Sequence, residues 1–276
     1  MIVFHTDLDN TLIYSYKHDI GDQKRCVEIC QGREISFVTQ ETYRLLQRLS
    51  EQKSQVLIVP TTTRTIEQYQ RIDLGAGVFP YALVCNGGVL LVNGKEDKDW
   101  YRGSLERIRY CKSELDNALE FLETDTRRNF ELRFIKELFV FTKCEESEAV
   151  VKDLRKVLNT NVVDVFHNGV KVYVVPKALD KGKAVERFRG YIGADYVIAA
   201  GDSEFDIPML EAADRGIAAP ELAQGCFFAD KIQCPSIERV FAEAVLETVS
   251  KYCSERIFET GRNMISGQGI RSAKQS

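Results

Sequence analysis

The chain has 276 residues, 44% hydrophobic and 28% charged, with a formal net charge of −4. That length supports one large domain or two smaller ones with real cores, and the composition excludes large-scale disorder. A mildly acidic balance without a long Lys/Arg run speaks against nucleic acid or an anionic membrane surface as the main partner. The opening apolar run is a few residues long and follows no positive charge, so it reads as neither a signal peptide nor a membrane span, and a cytoplasmic location is expected. Eight cysteines, none in a C-x-x-C pair, read as reduced thiols within the fold.

Ile2, Val3 and Phe4 form a strand that runs into Asp7-Leu8-Asp9-Asn10-Thr11. Two carboxylates so close repel by ~1 kcal/mol in water and several times more in a protein cleft, which makes a divalent metal the natural compensating cation. The alternative, Asp9 and Asn10 as turn residues bonding their own backbone, stays open on this stretch alone. Residues 26–29 and 35–38 flank Gln31-Gly32 as a β-hairpin that leaves the chain directly after the Asp7 segment, and we read it as a flap over that segment. Residues 39–52 have helical spacing, with Thr39 as N-cap. Residues 56–59, 81–85 and 196–200 are continuous apolar runs, as expected for strands covered on both faces in a parallel sheet.

After Asn86-Gly87-Gly88 the pattern changes. Apolar residues over 105–122 follow a helical period, 132–135 and 138–141 are strand-like, and 149–158 is a second amphipathic helix. Residues 162–166 and 170–175 flank His167-Asn168-Gly169, where Asn-Gly suits a two-residue turn with positive φ. This block is large enough for a smaller inserted domain. The expected division is a discontinuous core of 1–86 and 177–262, an insert of 87–176, and a loose tail of 263–276. Residues 237–258 are expected to form one or two helices docked on the core.

Three more polar segments follow strands or open helices, where an open α/β sheet binds ligands. Thr61-Thr62-Thr63-Arg64-Thr65 offers hydroxyls and N–H groups to an anion, or simply an N-cap. Asp180-Lys181-Gly182-Lys183 opens a helix, where a lysine is unfavourable unless something anionic lies close, a solvated lysine being the ordinary alternative. Gly201-Asp202-Ser203-Glu204-Phe205-Asp206 brings two further carboxylates to the same edge.

Together these segments resemble, over about residues 1–235, the haloacid dehalogenase superfamily of phosphohydrolases, whose four motifs occur here in order. The insert and Asn86-Gly87-Gly88 are similar to the subfamily with a type IIB cap that includes Cof-type, sucrose-phosphate and mannosyl-3-phosphoglycerate phosphatases. The resemblance implies an α/β fold with a Rossmann-like parallel-sheet core and an inserted, smaller α+β cap. It implies Asp7 as nucleophile, Asp9 as acid/base, and Thr62, Thr63 and Lys181 around the phosphoryl group. Mg2+ would be held by Asp7, Asp202 and the main-chain carbonyl of Asp9, with Asp206 orienting a metal-bound water. Lys181, directly before glycine, is preferred over Lys183. Two departures stand out: Phe205 replaces the asparagine usual before the last aspartate, which removes a polar bond unless Ser203 or Glu204 supplies it, and Thr63 adds bulk where glycine or serine is common.

Arg64, Asn86, Arg133, Lys136 and His167 are the candidates for holding the rest of the substrate. The expected activity is Mg2+-dependent hydrolysis of a small phosphorylated metabolite, a sugar phosphate or phosphoglycerate-like ester, by a monomer or homodimer. A sugar phosphomutase, or a low-turnover binding protein marked by Phe205, are the alternatives.

Overall fold

The computed structural model describes residues 1–51, 56–236 and 240–269. Strand Ile2–Thr6 lies inside a five-stranded parallel sheet, between Val56–Pro60 on one side and Tyr196–Gly201 on the other, with Arg215–Ala218 and Ile232–Gln233 beyond the latter. Every residue of the opening strand is buried, which is why Ile2, Val3 and Phe4 read as a continuous apolar run before the buried polar residues His5 and Thr6. Its register sets the site, because Thr6 pairs with both Pro60 and Ala200. The segments starting at Asp7, Thr61 and Gly201 therefore leave one sheet edge together.

Helix Gln40–Glu51 begins at Thr39, whose Oγ1 accepts the Thr42 N–H at 2.9 Å. Against it lies the long helix Phe241–Gly269, with Phe241, Val245, Leu246 and Val249 buried in one cluster with Leu46 and Leu49. The docked helix is thus as expected, but helix continues to Gly269 where a tail was expected from 263; residues 237–239 and 270–276 lie outside the described residues.

The run at 81–85 departs from expectation. Tyr81–Val84 pairs antiparallel with Val89–Val92 in a separate three-stranded sheet; it meets the parallel sheet through the Thr61–Leu83 bridge and through Leu83, which is buried in one cluster with Val3 and Val59. Burial on both faces produces the same apolar pattern in either direction of pairing, so periodicity alone did not separate the two.

The inserted unit is a four-stranded antiparallel sheet in the order Val163–Asn168, Lys171–Pro176, Phe139–Lys143, Arg133–Ile135. Helices Lys112–Thr124 and Ser147–Val157 share a buried cluster with it, including Leu115, Leu122, Val140, Val150, Leu154 and Val174. The single helical period over 105–122 is in fact two helices, Lys98–Ile108 and Lys112–Thr124, joined by a 3-10 turn at Arg109–Cys111. The hairpin turn is also one residue later than read: Asn168 pairs with Lys171, so the two-residue loop is Gly169-Val170, with φ of 55° at the glycine.

The other hairpin, Lys24–Cys30 with Arg33–Thr39, turns at Gln31 and Gly32 with φ of 51° and 76°, the pair of positive values such a two-residue turn needs. All eight cysteines are free. Among the described residues no helix is long and apolar enough to cross a membrane.

Candidate active site

Lys181 opens helix Lys181–Ile192, and its side chain is 1% exposed. Its Nζ lies 2.6 Å from Asp7 Oδ1 and 2.6 Å from Asp206 Oδ1. Two glycines permit this approach. A Cβ on Gly182 would stand 2.3 Å from the Pro208 carbonyl oxygen, and one on Gly201 would stand 2.2 Å from the Asp206 Cβ. Burial by itself works against the ammonium form, yet Asp206 and Asp7 overcome it and raise Lys181 above the ordinary lysine range. Lys183, by contrast, is exposed and bonds Asp180 and the Lys177 carbonyl.

Asp206 is fully buried with both oxygens engaged. Oδ1 takes Lys181, while Oδ2 accepts the Asp202 N–H (3.1 Å), the Ser203 N–H (3.0 Å) and the Ser203 hydroxyl (2.8 Å). Ser203 thus gives Asp206 two polar bonds beside the position of Phe205, whose side chain has no polar group to offer. Asp202 is steadied by the Thr11 hydroxyl, which donates to its Oδ1 at 2.9 Å.

Asp7, Asp202 and Asp206 each bring an oxygen within 4.8 Å of the others. Burial, with the neighbouring Asp206, Asp202 and Asp9 charges, pushes Asp7 well above the usual carboxylate range even though Lys181 opposes the shift. Burial and Asp206 push Asp202 up to about 6. Three carboxylates against one ammonium leave a surplus of negative charge on an all-oxygen donor set, which fits a hard divalent cation such as Mg2+. The Asp9 side chain is not part of this cluster. Both its oxygens face Arg64, with Nε to Oδ2 and Nη2 to Oδ1 at 2.7 Å each, an arrangement compatible with the metal role expected of its main-chain carbonyl.

Thr62 is buried at the same edge, its Oγ1 accepting the Arg64 N–H at 3.2 Å, with Thr63 half-buried beside it. A cleft of about 980 Å³ opens between this edge and the inserted sheet, lined among others by Asp202, Ser203 and Phe205 on one side and Phe166 and His167 on the other. Asn86 also lines it; its amide donates to the Leu179 carbonyl at 2.9 Å, and its buried Oδ1 has no partner.

Arg133 and Lys136 do not line the cleft. Arg133 pairs with Glu131, and Lys136, in a tight turn with Glu137, pairs with Glu96 at 2.8 Å. Arg64, expected to meet substrate, is paired here with Asp9 and Glu28. Phe205 packs edge-on against Phe166 (4.7 Å between centroids) and Tyr173 (5.3 Å), a contact between the two units that the sequence reading missed because it weighed the residue only for the bond it lacked. Burial, then the Asp9 charge, pushes the Tyr173 hydroxyl up to about 12.

Removing one member of a buried ion cluster leaves an uncompensated charge and costs about 3–5 kcal/mol. Asp206→Ala, which strands Lys181 and three donors, should lose stability in that range in urea unfolding, whereas a loss below about 1 kcal/mol would show that the cluster relaxes freely.

Residues 92–223 match the family model of haloacid dehalogenase-like hydrolases, a span that holds Lys181, Asp202 and Asp206 but neither Asp7 nor Thr62. The chain is 24% identical over 245 residues to a glucosyl-3-phosphoglycerate/mannosyl-3-phosphoglycerate phosphatase of Persephonella marina, covering 80% of this chain and 86% of that protein. Its fold is similar to that of the sucrose-phosphatase of Synechocystis, solved with sucrose and phosphate, at a TM-score of 0.64 and 17% identity over 91% of this chain and 97% of the other. A phosphatase of the haloalkanoate enzyme superfamily from Bacteroides thetaiotaomicron gives a TM-score of 0.52 and 16% identity, over 91% and 94%. Residues 92–223 thus match haloacid dehalogenase-like hydrolases, and the proteins that the chain is similar to over most of its length are phosphatases.

Proposed function

We propose that the protein is a Mg2+-dependent phosphatase that hydrolyses a small phosphorylated metabolite, a sugar phosphate or phosphoglycerate-like ester, through an aspartyl-phosphate at Asp7. The observation that carries this is Asp7 itself, held by Lys181 through one oxygen, Oδ1, at the end of the central strand. Oδ2 is then directed to attack phosphorus, and the bond from phosphorus to the leaving oxygen breaks as the new one forms. Lys181 and the Thr62 hydroxyl offset charge on the phosphoryl oxygens. Asp9 gives its proton to the leaving oxygen and later takes one from the water that attacks the aspartyl-phosphate. Arg64 does not prevent this, since a carboxylate offers about four lone-pair sites and the fork occupies one on each oxygen. Asp7 and Asp202 would hold the metal, with Asp206 behind them, and the bound cation would offset their repulsion and the charge of the phosphate.

The substrate class rests on the similar proteins, one named for glucosyl- and mannosyl-3-phosphoglycerate and one solved with sucrose. A cleft of about 980 Å³ suits a ligand of that size, with Asn86 and His167 as its proposed polar contacts. We assign residues 1–86 and 177–262 to the core and 87–176 to the cap, a division supported by the separate buried cluster beneath the four-stranded sheet.

Purified protein should release phosphate from p-nitrophenyl phosphate and from members of a sugar-phosphate panel with Mg2+, lose that activity in EDTA, and lose it in Asp7→Asn. Activity that survives in Asp7→Asn would sink the mechanism; an isomerised phosphosugar with little free phosphate would indicate a mutase. Phe205→Asn should not raise kcat, because Ser203 already bonds Asp206. Losing two aromatic contacts, together worth about 1–3 kcal/mol, should instead raise KM by roughly tenfold. A faster Phe205→Asn enzyme would mean that the departure limits turnover.

A further inference from the structure

The hairpin near the site hides a buried carboxylate that the mechanism does not use. Val27 and Glu28 are both buried, although neighbours in a regular strand face opposite sides. The pairing with the second strand is irregular on both sides of Glu28, and this bulge turns its side chain inward. There Oε2 accepts the Ser36 hydroxyl at 2.7 Å and lies 2.9 Å from Arg64 Nη1, while Oε1 accepts Arg71 Nη2 at 2.9 Å and Nε at 3.2 Å. The remaining edge of the Arg64 guanidinium is the fork on Asp9.

A buried ion pair is weak support for stability, since apolar residues fill such space as well or better, so the arrangement asks for another reason. Asp9 supplies one. Its side chain is 50% exposed while that of Arg64 is 12% exposed, so Asp9 would rotate into solvent unless something fixed it. One planar guanidinium gripped on one edge by an immobile carboxylate presents its other edge in a single orientation.

We propose that Glu28 is a positioning residue for Asp9, acting through Arg64: the hairpin sets the arginine, and the arginine sets the acid. This rests on the acid/base role given to Asp9 above. Glu28 itself touches neither substrate nor metal in this scheme.

The test uses aryl phosphates graded by leaving-group acidity, from p-nitrophenyl phosphate, whose leaving group departs without a proton, to phenyl phosphate, which needs one. Asp9→Asn should steepen the dependence of kcat/KM on leaving-group acidity. Glu28→Gln and Arg64→Lys should steepen it in the same sense, losing roughly tenfold or more on phenyl phosphate and much less on p-nitrophenyl phosphate. Val27→Ala, which loosens the same strand without touching the relay, should lower all substrates alike or not at all. Should Glu28→Gln not fold, Arg64→Lys carries the comparison. If Asp9→Asn steepens the dependence while Glu28→Gln and Arg64→Lys do not, Glu28 is structural and the inference is overturned. If Asp9→Asn leaves the dependence flat, the acid role falls, and the inference with it.

Discussion

The arrangement depends on one ammonium group withdrawn from water and placed 2.6 Å from each of two carboxylates. Desolvating Lys181, Asp7 and Asp206 is costly, and close geometry with saturated hydrogen bonding has to offset it. Each neighbouring feature serves that geometry. The parallel sheet aligns the ends of three strands, Gly182 and Gly201 let backbone and side chains close up, and Ser203 with two main-chain N–H groups saturates the far oxygen of Asp206. The cluster remains short of positive charge, as the raised Asp7 and Asp202 show, and in the proposed mechanism that shortage is what a divalent cation fills.

Work is divided between the two units in a way that follows from what each can reach. The sheet edge presents carboxylates, a lysine and threonine hydroxyls, which in the proposed mechanism recognise a phosphate and a metal and nothing larger. The inserted sheet faces them across the cleft with Phe166 and His167, and Tyr173 packs on Phe166 and Phe205. Phe205, beside the carboxylate cluster, packs on that aromatic face, so the position at which the sequence leads us to expect an asparagine here joins the sheet edge to the inserted unit.

Much of this was legible in the sequence because the residues concerned are set by local rules. Asp7 follows a buried strand, Lys181 precedes a glycine that only a close helix contact requires, and Asp202 follows another buried strand. What stayed hidden depends on distant partners. Nothing within a few residues of Glu28 announces a bulge, so alternation leaves its facing undetermined, and its partners Arg64 and Arg71 lie 36 and 43 positions away. Arg133 and Lys136 looked available to a ligand until Glu131 and Glu96 were seen to hold them. Tyr81–Val84 misled for a different reason, since two-sided burial erases the alternation that separates antiparallel from parallel strands.

The central claim is that Asp7, held by Lys181, takes the phosphoryl group covalently. The direct measurement is rapid acid quench during turnover of a substrate labelled in its phosphoryl group, followed by peptide mapping. The account predicts acid-stable, base-labile label on the peptide that contains Asp7, accumulating faster than phosphate is released and absent in Asp7→Asn. Phosphate release with no protein-bound label at any quench time, or label on a different residue, would contradict it.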